Sequence, residues 1–358
     1  TAARIQYARV LLWSGEFAAA LKEIDQALTE NPGARDALLV RANALRLKGN
    51  VRSAVPIYVD LVNKNDDYDA REGLTYGFLA DGNRVAADKS LSLLKPAFPY
   101  QEKSLVELKD LRDRLFNPSV SPGFTYYDDS DGNRVWRYFA TGSAWIKNWK
   151  LNLDYVHTHA KDDFRNKDSD DLALSGYSRM PFYGGIGGSI GLADNGRFLT
   201  GSIRGDLDIP GGSVGVNIAK YVPRDTAELL ENDIRVLSST FSVFHRPTDR
   251  ITLFGAYSYR DYSDSNNAND LTASISYLTL RQPVGVSLGY RVRFLDFRRQ
   301  SRGGYFDPDN FISNVIFGNL SFETSRVYGY VEPYVGYQTY KRYGENHEDY
   351  ITGGICAL

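Results

Sequence analysis

Apolar positions follow one period before Pro118 and another after it. Before it, small and large apolar residues recur at helical spacing. Ala8, Leu11, Gly15, Phe17, Ala20 and Ala27 return 34 residues later as Ala42, Leu45, Gly49, Val51, Ala54 and Leu61. A third copy, shifted by 33, holds Gly82, Val85, Ala87, Leu94 and Pro99. Such a period predicts helix-turn-helix units that cannot bury their apolar faces alone and stack into a solenoid. Gly15, Gly49 and Gly82 end the first helix of each pair, and a further helix over 102–116 caps the stack with Leu105, Leu108, Leu111 and Leu115 on one stripe.

After Pro118 the period is two. Ile251, Leu253, Tyr257 and Tyr259 alternate with Thr252, Ala256, Ser258 and Arg260; Val284, Val286, Leu288, Tyr290, Val292 and Phe294 alternate with Ser287, Arg291 and Arg293. Strands are expected at 124–128, 134–145, 150–160, 170–179, 184–194, 197–208, 212–222, 235–246, 250–262, 269–281, 284–296, 310–323, 327–341 and 349–358. The connections segregate by length. Turns such as 147–149, 181–183, 209–211, 247–249, 282–283 and 324–326 are short, whereas most of the alternate connections, 161–169, 223–234, 263–268, 297–309 and 342–348, are long and polar, the tight turns 130–133 and 195–196 excepted. Short turns at one end and long loops at the other, on strands long enough to cross a bilayer at a tilt, predict a transmembrane antiparallel barrel. Tyr126, Tyr127, Tyr183, Tyr221, Tyr262, Phe297, Tyr340 and Tyr343, near strand ends, suit the membrane–water girdles. The fold class expected is thus a tetratricopeptide-like α-solenoid over 1–117, followed by an outer-membrane β-barrel over 118–358. Fourteen strands are visible. Ile351-Thr352-Gly353-Gly354 reads as the start of a strand, so one more hairpin, giving sixteen, is expected in the intact protein.

Composition sharpens the division. Of 358 residues, 1–117 hold only six of the 32 glycines and five of the 25 tyrosines. A formal net charge of −2 argues against a nucleic-acid partner. One Cys, Cys356, excludes a disulfide framework or a cysteine metal cluster. No run of about 18 apolar residues predicts a helical span. The opening at Thr1, without an apolar leader, reads as a processed or trimmed chain.

Candidate chemistry lies on the inward barrel face. Arg204, Asp206, Asp154, Arg260, Arg291 and Arg293 are expected to line the pore, either as a field for the transported molecule or as pairs that neutralise a polar interior. The loop 297–310, with Arg298, Arg299, Arg302, Tyr305, Phe306 and Asp307, is either a gate folded into the mouth or an exposed surface loop. On the solenoid, Arg41, Asn43, Arg46 and Lys48 are either candidates for binding a partner protein or part of a solvated face. His157 and His159 share a strand face without a third ligand, so no metal is expected. Asp162/Asp163 and Asp170/Asp171 read as solvated charge in a polar loop. Gly184–Gly188 sits in a strand with no helix after it, where it packs beneath a bulky neighbour or marks a bend rather than cradling a phosphate. No catalytic triad or cofactor motif appears, so neither an enzyme nor a cofactor is expected.

The joined architecture resembles the outer-membrane exopolysaccharide export porins of the cellulose, poly-N-acetylglucosamine and Pel secretion types. Ala8-Arg9-Val10-Leu11-Leu12-Trp13-Ser14-Gly15-Glu16-Phe17 is similar to the repeats preceding their barrels, and Gly304-Tyr305-Phe306-Asp307-Pro308 to a segment of cellulose-type and YaiO-like barrels. This resemblance implies a polymer channel in the bacterial outer membrane with a periplasmic N-terminal domain. Its partners would be outer-membrane lipids, a secreted polysaccharide, and periplasmic or inner-membrane secretion proteins docked on the repeats. A translocator or assembly factor for surface proteins or lipoproteins, like the surface-lipoprotein assembly modifiers, is the alternative.

Overall fold

The computed structural model describes residues 1–65, 67–129, 132–180, 183–281, 284–301, 303–323, 328–342 and 348–357. Six helices pair as α1 (Ala2–Trp13) with α2 (Phe17–Glu30), α3 (Arg35–Leu47) with α4 (Val51–Asn65), and α5 (Tyr68–Ala80) with α6 (Arg84–Ser92); α7 (Pro99–Phe116) closes the stack. Successive first helices touch, α1 with α3, α3 with α5 and α5 with α7. That close approach needs small residues, and Ala8, Ala20, Ala27, Ala42, Ala54, Ala70 and Ala87 are fully buried. The three predicted glycines end α1, α3 and α5 with φ of +79°, +90° and +67°. In each case the following N–H reaches back five residues: Glu16 to the Leu11 carbonyl, Asn50 to Leu45 and Asn83 to Phe78, at 2.8–2.9 Å.

The strands are β1 (Ser119–Asp128), β2 (Arg134–Ile146), β3 (Trp149–Lys161), β4 (Asn166–Met180), β5 (Gly184–Ala193), β6 (Phe198–Ile209), β7 (Gly212–Tyr221), β8 (Val236–His245), β9 (Ile251–Tyr262), β10 (Asn267–Leu280), β11 (Gly285–Phe297), β12 (Asp309–Glu323), β13 (Tyr328–Lys341) and β14 (Glu348–Ala357). Each pairs antiparallel with its sequence neighbours in one fourteen-stranded sheet. The strand count matches the sequence reading, as does the segregation of turns among the described connections; 181–182, 282–283, 324–326 and 343–347 lie outside the described residues. Ile351–Gly354 is the middle of a strand rather than its start, since β14 pairs with β13 from Tyr340↔Glu348 to Val331↔Ala357. The described residues show no pairing of β1 with β14. Leu153, Leu174, Ile190, Leu199, Ile203, Ile316 and Val335 stand exposed on one face, the apolar skin of a membrane barrel.

An eighth helix, α8 (Ala227–Glu231), lies in the connection between β7 and β8 that reads as a polar loop. Ala227 and Leu230 pack on Val135 of β2 and Ala160 of β3. Leu229 packs in a cluster with Val236, Tyr262, Ala268, Leu295, Phe297 and Phe311, from β8 through β12. One five-residue helix therefore touches walls many strands apart, so the sheet curls around it and these residues mark its inner face.

Candidate functional site

Strand register then sorts every side chain. Asp154 of β3 faces Thr141, whose hydroxyl donates to it at 2.7 Å. Arg204 lies over the Tyr177 ring at 4.1 Å, and the Tyr177 hydroxyl donates to Asp206 at 3.0 Å. The glycine run makes this possible. A Cβ on Gly185 would meet the Tyr177 hydroxyl at 2.1 Å, and one on Gly187 would lie 3.0 Å from its ring. The glycines of β5 therefore form the floor under an aromatic side chain. Arg260 and Arg293 share one carboxylate, Asp270, each at 2.7 Å. Arg291 bridges to Glu332 at 3.1 Å and lies 4.7 Å from the Phe317 centroid. All six predicted inner residues share the α8 face, and the arginines form pairs and ring stacks instead of a field of one sign.

At the long-loop end this face is covered. Residues 222–235 cross it. Arg165 on the 162–165 loop pairs with Glu231 at 2.6 Å and Glu228 at 3.3 Å, and Lys167 with Glu231 at 3.2 Å. Arg224 pairs with Asp171, and Arg137 donates to the Arg224 carbonyl at 2.9 Å and to Asp225 at 2.8 Å. The Thr226 hydroxyl caps α8 by accepting from the Leu229 N–H, and donates to the Gly304 carbonyl. Beneath this segment Thr158 and Ser169 are fully buried, and their hydroxyl oxygens have no hydrogen-bond partner among the described residues.

The loop 297–310 is the second half of the cover. Tyr305 is 8% exposed and stacks on Tyr262 at 4.5 Å; its hydroxyl donates to Asp264 at 2.7 Å and accepts from Asn266 at 3.0 Å. Asp307 is fully buried and accepts from the Ser301 N–H, and burial pushes its carboxyl up from the usual range. Phe306 meets Tyr340 edge-on at 5.1 Å. Arg299 donates to the Asp264 carbonyl, and the Arg298 N–H to Asn267. Arg302 lies outside the described residues. The loop is thus divided: Tyr305 and Asp307 are packed at the long-loop end, whereas Arg298, Arg299 and Phe306 are exposed.

Two further expectations change. Tyr262, Phe297 and Tyr340 are buried in the mouth cluster and do not belong to a lipid-facing girdle; Tyr343 lies outside the described residues. The aromatic skin there is Tyr126, Tyr138 and Tyr155, all exposed. Asp170 and Asp171 lie on β4 and not in a loop, Asp170 beside His157 at 2.9 Å and Asp171 beneath Arg224. His159 pairs with Asp168 at 2.8 Å, and no group of three metal-ligating side chains occurs among the described residues.

On the solenoid the four partner candidates split. Arg46 donates to the Tyr58 hydroxyl at 3.3 Å and lies over Tyr76, while Tyr58 donates to Asn43 at 2.6 Å. Arg41 turns instead to Asp25 at 3.0 Å, and Lys48 sits at the C-terminus of α3. Next to Tyr76, burial and the nearby Asp69 and Glu107 push the Glu72 carboxyl up to about 6, although Arg46 opposes this.

No protein-family model matches the chain, and no curated protein resembles it in sequence. Among solved structures it is similar to a bacterial polysaccharide outer membrane secretin, at 12% identity and a TM-score of 0.53, over 66% of this chain and 83% of that one. An anion-selective porin from Comamonas acidovorans aligns at 11% identity and a TM-score of 0.37, over 68% and 100% of the two chains. Wzi of Escherichia coli aligns at 9% identity and a TM-score of 0.27, over 81% and 97%. The first of these likenesses agrees with the β-barrel fold over the part of the chain that it covers.

Proposed function

We propose that this chain is an outer-membrane channel that exports a secreted polymer, an exopolysaccharide. The supporting observation is the inner wall. Its arginines are matched by carboxylates or aromatic faces, as Arg260–Asp270–Arg293 and Arg204–Tyr177 show. Paired charges, hydroxyls and ring faces bond and stack with a neutral sugar chain, whereas an acidic polymer would favour arginine rings of one sign. On this reading Arg204, Asp206, Asp154, Arg260, Arg291 and Arg293 line the pore. The segment 222–235 and the loop 297–310 are its extracellular plug. The tetratricopeptide-like solenoid is periplasmic and docks secretion proteins, with Asn43 and Arg46 on one candidate surface. The chain makes and breaks no bond. The likeness to a polysaccharide secretin agrees with this reading.

The test is single-channel recording of the purified full chain with neutral, uronate or amino-sugar oligomers added. Sugar-dependent blockade of openings is expected. Openings indifferent to all three classes would overturn the proposal. A second reading, translocation of surface proteins or lipoproteins, draws on the unpaired edges of β1 and β14 among the described residues; a co-purifying lipoprotein without any sugar response would favour it.

A further inference from the structure

The short-turn end of the barrel carries a second set of contacts, and they all come from equivalent places in the solenoid. After α1, the Ala18 N–H donates to Asp249 at 2.9 Å, Glu16 pairs with Arg250 at 2.9 Å, and Arg281 lies over the Phe17 ring at 5.2 Å. After α3, Arg52 lies over Tyr183 at 4.8 Å. After α5, Asp81 lies 3.6 Å from Arg179, Arg84 donates to the Trp145 carbonyl at 2.8 Å, and the Val85 N–H donates to Asn148 at 3.0 Å. The 34-residue period places one such turn in every repeat, so the three form a row along one edge of the stack.

That row meets the β2–β3, β4–β5, β8–β9 and β10–β11 hairpins in turn. The β8–β9 and β10–β11 hairpins lie six and eight strands beyond β2–β3 in a sheet of fourteen, which is half-way round the rim. A packed stack of helices that touches both sides crosses the opening between them. One end of this bar is tied covalently, because only Asn117 and Pro118 separate α7 from β1. Phe116 also packs edge-on against Trp145 at 4.9 Å there. Among the described residues, the other end is held by the contacts of Gly15 to Ala18 with Asp249, Arg250 and Arg281. Arg250 and Glu16 are both nearly half exposed, a pairing that forms and breaks readily.

We propose that the solenoid is the inner gate of the channel, hinged at residues 117–118 and latched by Glu16, Phe17 and Ala18 on Asp249, Arg250 and Arg281. Swinging the latch end clear opens the mouth, and a partner that grips the first repeat would hold it open. This inference rests on the channel reading above.

The experiment uses the full chain with Cys356→Ser, with the outer plug loosened by Leu229→Ala, and with the pair Ala18→Cys and Asp249→Cys across the latch. Bilayer recordings are made oxidised and again after reduction. The gate predicts that the pair cross-links, and that reduction raises open probability at least about tenfold. In the same loosened background without the cysteines, Arg250→Glu should open the channel, and adding Glu16→Arg should close it again. Equal open probability in the oxidised and reduced states would overturn the gate and leave the channel standing, as would failure to cross-link in a chain that conducts. A chain silent in both states and in Arg250→Glu would remove the channel reading, and the gate with it.

Discussion

Leu229→Ala tests the outer plug most directly. Leu229 is fully buried among Val236, Tyr262, Leu295, Phe297 and Phe311, and it is the apolar side chain by which α8 grips the β8–β12 side of the wall. Truncating a buried leucine costs about 2–5 kcal/mol, and the lower part of that range applies where the surroundings can relax. The short helix α8 sits in a connection able to shift, so about 2–3 kcal/mol is expected for the seating equilibrium. At roughly 1.4 kcal/mol per factor of ten, the unseated fraction rises about 30- to 150-fold. The readout is a thiol placed beneath the plug. Thr158→Cys, with Cys356→Ser, buries the new sulfur where the Thr158 hydroxyl is fully covered. Its labelling by a maleimide added outside then follows the unseated fraction when reseating outpaces labelling. Phe164→Ala, at a side chain 91% exposed, should leave the rate unchanged. Equal rates in the Leu229→Ala and Leu229 proteins would show that α8 does not hold the mouth shut.

Replacing Glu228 and Glu231 by Gln removes the ties to Arg165 and Lys167, so the same labelling rate should rise, by less than in Leu229→Ala, and lose its dependence on salt. Gly73→Ala places a Cβ 2.3 Å from Cε1 of Tyr58, whose side chain is fully buried with its hydroxyl donating to Asn43, so the solenoid should lose about 1–3 kcal/mol in chemical unfolding followed by helical circular dichroism. Glu72 has a carboxyl raised from 4.5 to about 6 on folding, so the folded solenoid takes up a proton. Its stability therefore rises as pH falls through 6 toward 4.5, and the gain is lost above 6. The gain is about 1 kcal/mol once the exposed part of the side chain is discounted. Glu72→Gln should flatten that pH dependence and unfold later at pH 7.5; an unchanged profile would refute the assignment.

Regular periods made most of the architecture readable. The recurrence of Ala8, Ala42 and Gly15, Gly49, Gly82 marks backbone geometry and close packing, which only a few residue types satisfy. Alternation marks strand faces, so Arg204 and Arg293 could be assigned to the inside. The same parity puts Tyr262 beside Arg260 on the inner face, a signal that nearness to a strand end outweighed in the girdle reading. The helix α8 escaped because five residues show no period, yet Thr226 before Ala227, Leu229 and Leu230 is a cap followed by apolar residues in an otherwise polar stretch. The solenoid–rim contacts leave no sequence trace at all. Glu16 and Arg250 are 234 residues apart, and either alone is an ordinary surface charge.

The unbroken neighbour-to-neighbour order of the strands has a further consequence. With no crossover among the described strands, the wall is a string of hairpins, each registered only against those beside it. Duplicating or deleting one hairpin would leave the remaining ladders intact while changing the circumference. A lineage built on this plan can therefore resize its bore in steps of two strands, without redesigning the rest of the cylinder.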